Sequence, residues 1–156
     1  MQTITPFLWF NTQAEEAARF YVSVFKNSKI LSISRHSKAG PGPEGSVMTV
    51  EFELDGERFV ALNGGPQYTF SRAVSFVVNC ETQQDVDHYW TRLSAGGKQI
   101  QCGWLTDKYG LSWQIVPTIL PELLQHTYPE KTKRVMEVMF KMVKLDIEAL
   151  KRAAQG

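Results

Sequence analysis

Apolar residues in the first half of the chain follow two periods, one typical of strands and one typical of a helix. Strands are predicted at residues 4–10, 29–35, 46–54 and 57–63. Between the first two strands, a helical period places six residues on one face: Ala14, Ala17, Ala18, Tyr21, Val24 and Phe25. Thr12 and Glu15 have the spacing of a capping box that would start this helix. Asp55-Gly56 predicts a tight hairpin between the last two strands.

The second half of the chain repeats this order of elements. Strands are predicted at residues 73–79, 98–104 and 111–116. Thr82 is placed to cap a helix that would end at Gly96-Gly97. The apolar face of that helix consists of Val86, Tyr89, Trp90 and Leu93. Each half is therefore predicted to form a strand, a capped helix and several further strands, in modules of about residues 1–65 and 70–118.

A third pattern follows in an extension of about residues 119–154. A long helix is predicted from Pro129 to about Ala153. Its apolar stripe consists of Val135, Met139, Met142, Val143, Ile147 and Leu150. The stripe would be covered either by the chain's own domain or by a second subunit, since small proteins commonly form symmetric oligomers. The pattern leaves both alternatives open.

Composition and charge exclude several classes of protein. A chain of 156 residues suits one domain or two small fused modules, and its net charge of +1 gives no sign of binding to nucleic acid or to an anionic membrane. The first ten residues lack the basic start and long apolar core of a signal peptide, and no apolar run approaches the length of a membrane span. Cys80 and Cys102 are the two cysteines, so we expect a cytoplasmic protein with two free thiols.

Three stretches of sequence carry a resemblance to a known family. ITPFLWF with AEEAARFYVSVF, CGWLTDKYGLSWQIVP and RVMEVMFKMVKLDIEALKRA resemble the PhnB-like family, often labelled 3-demethylubiquinone 3-methyltransferase-like. This family is part of the vicinal oxygen chelate superfamily, which also contains glyoxalase, bleomycin-resistance and dioxygenase proteins. The resemblance implies one α+β glyoxalase-like domain over residues 1–156. Its two βαβββ modules would form curved mixed sheets around a cavity, with a C-terminal helix added, usually in a homodimer.

The superfamily's enzymes typically hold a divalent metal with His, Glu or Gln from four strands. Here the resemblance places only Gln114 at such a position, in the last strand of the second module. The strands at 4–10, 57–63 and 73–79 offer no central His or carboxylate. The three histidines, His36, His88 and His126, are predicted in a loop, in a helix and after the last strand. We therefore expect no metal site, because one neutral amide is a weak ligand.

The methyltransferase label is also not supported by the sequence. An S-adenosylmethionine site typically uses a glycine-rich loop between a first strand and its helix, where glycine allows close backbone approach. The first glycine here is Gly40, in the loop AGPGPEG at residues 39–45, well beyond the first helix. We therefore expect no cofactor.

The remaining candidates for a site are aromatic and polar residues of the predicted strands, among which the resemblance places Ser112 and Gln114 toward the cavity. The predicted ligand-binding residues are Trp9, Asn63, Ser75, Cys102, Trp104, Ser112 and Gln114. Each also has a structural interpretation, in which tryptophans pack in the core and Gln114 makes a hydrogen bond within the sheet. Trp113 is expected to point away from Gln114, toward the helices. Cys102 has no His or basic residue beside it in sequence that would activate the thiol.

These observations support three hypotheses about function. The first is a metal-independent small-molecule binding protein or enzyme of unknown reaction, with an apolar or aromatic ligand. The second is a metal-dependent glyoxalase-like or dioxygenase-like enzyme. The third is a sequestering protein of the bleomycin-resistance type, which binds without turnover. Metal content separates the second hypothesis from the other two.

Overall fold

The computed structural model describes residues 2–125 and 127–156, so the predicted position of His126 lies outside the described residues. The chain forms two compact units, the first ending at Phe70 and the second beginning at Ser71. Each unit contains a four-stranded sheet with parallel and antiparallel pairs and a helix that follows its first strand. The α+β class with a βαβββ order in each half is therefore confirmed.

The first unit packs one helix against a mixed sheet. Its elements are β1 (Phe7–Phe10), α1 (Ala14–Val24), β2 (Lys29–Arg35), β3 (Val47–Leu54) and β4 (Glu57–Asn63). The strands are ordered β1-β4-β3-β2, with β1 parallel to β4. Tyr21 of α1 is fully buried and stacks on Phe52 of β3, which places the core between helix and sheet. Asp55 and Gly56 have φ angles of 48° and 83°, so the predicted hairpin is confirmed.

Helix α1 starts in a different way from the one predicted. Gln13 precedes the helix and makes no side-chain cap, so the capping box of Thr12 and Glu15 is wrong. Glu15 instead forms an ion pair with Arg19, one turn along the helix, at 2.8 Å. The backbone N–H of Ala14 at the start of α1 donates to Asn63 Oδ1 at the end of β4.

The second unit has the same arrangement. Its elements are β5 (Ser75–Cys80), α2 (Gln83–Ser94), β6 (Lys98–Gln99), β7 (Trp104–Thr106) and β8 (Ser112–Pro117). The strands are ordered β5-β8-β7-β6, with β5 parallel to β8. The predicted cap of α2 is confirmed, because the Thr82 hydroxyl accepts from Asp85 N–H at 3.1 Å.

The strand predicted at 98–104 is present only at its two ends, and its continuity is wrong. A turn separates β6 from β7, and both Cys102 and Gly103 in it have left-handed backbone angles, with φ of 61° and 82°. Their N–H groups donate to the carbonyls of Met142 and Val143, so this turn is tied to the C-terminal extension. The alternation of side chains that holds along a strand therefore does not connect Cys102 to Trp104.

In the described part of the C-terminal extension there are three helices rather than one. They are α3 (Leu120–Leu123), α4 (Pro129–Met139) and α5 (Ile147–Gln155). The single helix predicted from Pro129 to Ala153 is wrong, because residues 140–146 interrupt it. Asp146 begins a new helix there, with its carboxylate accepting from the N–H of Ala149 at 3.0 Å.

Most of the predicted apolar stripe packs within the second unit. A buried cluster consists of Leu120, Leu123, Val135, Leu145 and Leu150, with Met139 and Met142 packed against it. The first alternative, packing on the chain's own domain, is therefore confirmed for these residues. Met136, Phe140 and Val143 remain exposed on the outside of the extension. No helix within residues 2–125 and 127–156 is both long enough and apolar enough to cross a membrane.

Candidate functional site

One face of the second sheet gathers four of the predicted site residues. Ser75 lies opposite Ser112 across the parallel pair β5–β8, and Trp104 lies opposite Gln114 across the antiparallel pair β7–β8. Val77 is also opposite Gln114. Residues directly opposite each other in a sheet point to the same face. We call this surface, made of Ser75, Val77, Trp104, Ser112 and Gln114, the Gln114 face.

A hydrogen bond fixes the amide at the centre of the Gln114 face. Gln114 Nε2 donates to Ser75 Oγ at 3.0 Å. This bond sets the orientation of the amide and leaves Oε1 as an acceptor. Ser75, which accepts the bond, keeps its own O–H as a donor. The pair can therefore offer one acceptor and one donor to a bound molecule.

Apolar side chains surround this polar pair. Val77 stands in the middle of β5 with 48% of its surface exposed, and Trp104 is half-buried beside Gln114. Apolar and aromatic residues beside a few oriented polar groups are a combination that small-molecule sites also use. The arrangement suits a flat or apolar molecule with one hydrogen-bonding group.

Ser112 differs from the other polar residues of the Gln114 face. Its side chain is fully buried, and its Oγ has no hydrogen-bond partner among the residues that the structure describes. An unpaired buried hydroxyl costs about 1 to 3 kcal/mol. Ser112 therefore adds polarity beneath the surface, next to Ser75, without being exposed to a ligand in this conformation.

Trp113 lies on the opposite side of β8, as predicted. It is 3% exposed and packs beside the Phe76 ring, with its Nε1 donating to Asp107 Oδ2 at 2.9 Å. Asp107 also accepts from the N–H groups of Tyr109 and Leu111. Sequence reasoning did not identify Asp107, although an aspartate that opens a tight turn is a common acceptor for the N–H groups that follow it.

The two predicted site residues of the first unit act as anchors. Trp9 Nε1 donates to the Gly65 carbonyl at 2.9 Å, and a side chain at Gly64 would overlap the Trp9 ring. Asn63 Oδ1 accepts from Ala14 N–H at 2.8 Å, while its Nδ2 donates to the Val47 carbonyl at 3.2 Å. The indole N–H and both ends of this amide are used to join segments of the first unit.

The cysteines show no sign of nucleophilic chemistry. Cys102 Sγ donates to the Met139 carbonyl at 3.7 Å, so this thiol faces the extension. Burial, with a smaller effect of the Asp85 carboxylate, raises the pKa of the Cys80 thiol to about 12. A thiol with so high a pKa is almost entirely protonated at neutral pH, and the thiolate is the nucleophile.

Comparison with known proteins then identifies the family. A family model described as 3-demethylubiquinone-9 3-methyltransferase matches residues 2–116, well over half of the chain. The chain belongs to this family. The resemblance to PhnB-like proteins is thereby confirmed. Helices α3 to α5 lie beyond the residues that the family model matches. No curated protein matches the chain.

Solved structures support the family and the fold. The PhnB protein of Bacillus cereus is 40% identical, with a TM-score of 0.69, over 75% of this chain and 100% of that one. A protein from Pseudomonas aeruginosa is 18% identical, with a TM-score of 0.61, over 75% of this chain and 98% of that one. The fosfomycin resistance protein FosX of Listeria monocytogenes is 15% identical, with a TM-score of 0.56, over 80% of this chain and 98% of that one. The last two show the fold alone.

The residues present do not fit the divalent metal that the superfamily implies. Strand β1 (Phe7–Phe10) contains no residue that could bind a metal ion. Asn63, at the end of β4, uses both its amide oxygen and its amide nitrogen in hydrogen bonds within the protein. The Gln114 face offers an amide oxygen and hydroxyl groups, without carboxylate or imidazole. In the described part of the chain, no three His, Cys, Asp or Glu residues are grouped to hold a metal ion. Such a set of neutral oxygens is a poor match for the sites that hold zinc, manganese or nickel.

Proposed function

We propose that the chain binds a small apolar or aromatic molecule at the Gln114 face, without a metal ion. The observation that carries the proposal is the 3.0 Å hydrogen bond from Gln114 Nε2 to Ser75 Oγ. It holds an amide in one orientation on a surface that also presents Trp104 and Val77. Oriented polar groups give specificity and the apolar residues give contact area.

The chemistry of this face indicates what the ligand carries. A ring can pack against the Trp104 indole and the exposed Val77 side chain. A hydroxyl on that ring can donate to Gln114 Oε1 and accept from the Ser75 O–H. The ligand class that we propose is therefore a neutral hydroxylated aromatic molecule.

A metal-dependent enzyme is the rival proposal, since one FosX structure from Listeria monocytogenes holds Mn(II) and sulfate. That relative is 16% identical to this chain. The neutral donor set of the Gln114 face argues against the same chemistry here.

The family's description also names methyl transfer, for which the first unit has no suitable loop. The connection from β1 to α1 contains no glycine, and the glycine-rich loop of residues 39–45 joins β2 to β3 instead. Without a glycine-rich turn between the first strand and its helix, the close backbone approach to a nucleotide cofactor is not available there. We therefore propose binding rather than methyl transfer.

A fluorescence titration with 2-naphthol tests the proposal. Gln114→Ala removes the acceptor for the naphthol hydroxyl, so we expect about tenfold weaker binding, which corresponds to one hydrogen bond. Gln84→Ala, at an exposed position of α2, is the matched control and should bind as the wild type does. Naphthalene lacks the hydroxyl and should not distinguish wild type from Gln114→Ala. Equal 2-naphthol affinity in all three proteins would contradict the assignment of this face.

Mass spectrometry of the same probe separates binding from turnover. We expect 2-naphthol recovered after long incubation with the protein to be unchanged, as for a sequestering protein. A new product formed by the wild type but not by Gln114→Ala would instead establish an enzyme.

The proposal includes a homodimer in the cytoplasm. Exposed Met136 and Phe140 line a cleft of about 430 Å³ on α4, an apolar surface of the kind that protein interfaces cover. Cys80 and Cys102 are both free thiols, which supports a reducing compartment.

A further inference from the structure

A second cleft lies wholly within the first unit. Its volume is about 550 Å³, and it is bordered by the start of α1, the end of β4 and the loop of residues 39–45. Polar side chains line much of it, among them Asn11, Thr12, Glu15 and His36. A cleft of this volume is within the range of small-molecule sites.

His36 is the unusual residue of this cleft. Its Nδ1 is buried and has no hydrogen-bond partner in the described part of the chain. The ring is covered by the 39–45 loop: a Cβ on Gly40 would lie 3.1 Å from Nδ1, and one on Gly42 would lie 2.6 Å from Nε2. Both covering residues are glycines, so loop backbone lies against the ring, and a ligand would reach Nδ1 only if the loop moved. A buried nitrogen without a partner is costly, and a ligand hydroxyl could pair with it.

Some of the other polar groups of the cleft make hydrogen bonds within the protein, and others make none in the part of the chain that the structure describes. Ser46 Oγ donates to the Pro43 carbonyl at 2.6 Å, and Asn63 uses both ends of its amide. Asn11 and Thr12 are exposed and make no side-chain hydrogen bond within the described residues. An amide, a hydroxyl and the His36 imidazole are therefore available to a ligand.

The charge in the cleft is already compensated. Glu15 is the charged residue of the lining, and Arg19 Nε and Nη2 donate to its Oε2 at 3.0 and 2.8 Å. No lysine or arginine lines the cleft. An anionic ligand would thus lack a counter-charge, and a cationic one would compete with Arg19 for Glu15, whereas a neutral molecule would meet several hydrogen-bonding groups.

We propose that this cleft is a second binding site, for a neutral molecule with several hydroxyl or amide groups, of about the size of a monosaccharide. Asn11, Thr12 and His36 would provide the hydrogen bonds, and the 39–45 loop would adjust over the ligand. The proposal does not depend on ligand binding at the Gln114 face, which has a different chemistry and lies in the other unit.

An NMR titration of the full chain with N-acetylglucosamine tests the proposal, because this probe is neutral and carries both hydroxyls and an amide. We expect shifts of backbone amide signals that are confined to residues 11–12, 36–46 and 63–65. Glucosamine and gluconate, a cation and an anion of similar size, should bind more weakly. Shifts confined to the Gln114 face, or no saturable shifts, would overturn the proposal, as would stronger binding of either charged probe.

Two variants test the residues of the site. Thr12→Val removes an exposed hydroxyl and should weaken N-acetylglucosamine binding about tenfold, with Thr91→Val on α2 as the matched control. Gly42→Ala places a methyl group against the His36 ring and should have a similar effect, whereas Lys38→Ala at an exposed position near the loop should not. Unchanged affinity in both Thr12→Val and Gly42→Ala would overturn the proposal.

Discussion

Asn63 and Gln114 are both strand amides, but their hydrogen bonds give them different roles. Asn63 accepts from α1 and donates to β3, so both ends of its side chain join elements of the first unit. Gln114 donates to Ser75 and keeps its oxygen as an acceptor. The first amide is an anchor, and the second is the one that we propose contacts a ligand.

We predict that Asn63→Ala lowers the free energy of unfolding by about 1 to 3 kcal/mol, because the Ala14 N–H loses its acceptor at the helix start. Asn63→Asp keeps an oxygen acceptor for the Ala14 N–H and loses only the donor to the Val47 carbonyl. Its free energy of unfolding should therefore fall by less than that of Asn63→Ala. Urea unfolding of the three proteins measures the difference. If Asn63→Asp were as unstable as Asn63→Ala, the capping role would be wrong.

The Cys80 thiol makes stability depend on alkaline pH. Its pKa is raised to about 12 in the folded chain by burial and by Asp85, while an unfolded thiol has a pKa of roughly 8.5. Between these values the unfolded chain releases its proton and the folded chain retains it. Stability should therefore fall as pH rises above the unfolded pKa, by about 1.4 kcal/mol per pH unit.

Comparing wild type with Cys80→Ala isolates this contribution. The difference in the free energy of unfolding between the two proteins should be constant below about pH 8 and should change in favour of the variant above it. Urea unfolding at about pH 7 and about pH 10 measures it. A difference that stays constant across this range would show that the buried thiol does not resist ionisation.

At the residue scale, the sequence predicted which side chains share a face better than it predicted their hydrogen bonds. Alternation along β8 correctly separated Gln114 from Trp113. It could not show that Asn63 caps α1, because that bond joins residues 49 positions apart along the chain. Cys102 lies in a left-handed turn rather than in the strand predicted at 98–104, so strand alternation does not give the direction of its side chain.

At the scale of elements, a small set of polar contacts joins the C-terminal extension to the rest of the second unit, in addition to its apolar packing. The Gln83 side chain at the start of α2 donates to the Leu145 carbonyl and accepts from the Ile147 N–H, at 3.1 and 2.9 Å. Hydrogen bonds from Lys144 and Gln83 also lower the pKa of the Asp87 carboxyl. The Gln83 contacts satisfy the Leu145 carbonyl and the Ile147 N–H, where the helical pattern breaks.

Two glycines with similar backbone angles test this packing. Gly103 and Gly110 have φ of 82° and 87°, so alanine at either should cost about 1 to 2 kcal/mol of backbone strain. A Cβ at Gly103 would also lie 2.8 Å from the Ile115 carbonyl oxygen and 3.0 Å from Leu145, whereas Gly110 has open space. We predict that Gly103→Ala is the more destabilising by about 1 to 3 kcal/mol. Equal thermal shifts for the two variants would contradict the docking of the extension on this turn.

The sequence predicted the order of strands and helices in both halves but not the break within the extension. An apolar stripe continues from Val135 to Leu150, so the helical period alone favours one helix. The break depends on Asp146 as a cap and on carbonyls of residues 142–143 that accept from the 102–103 turn. Such distant bonds are not visible in a local pattern.

At the scale of the whole molecule, we predict a homodimer that depends on the exposed side of the extension. Phe140 is 55% exposed and adjoins exposed Met136, so Phe140→Asp should weaken an interface formed there. Light scattering after size-exclusion chromatography should give twice the 17.7 kDa mass of one chain for the wild type and a lower mass for the variant. A monomeric wild type would contradict the prediction.

The central claim is binding at the Gln114 face without a metal, and one titration tests it most directly. The affinity of the wild type for 2-naphthol is measured in EDTA and again with added Mn(II), Ni(II) or Zn(II). We predict that the wild type has the same affinity for 2-naphthol in every case, because the hydrogen bonds come from the Gln114 amide and the Ser75 hydroxyl. We also predict that Gln114→Ala binds 2-naphthol more weakly than the wild type under each of these conditions. Binding that disappears in EDTA and returns with one of these metals would contradict the account.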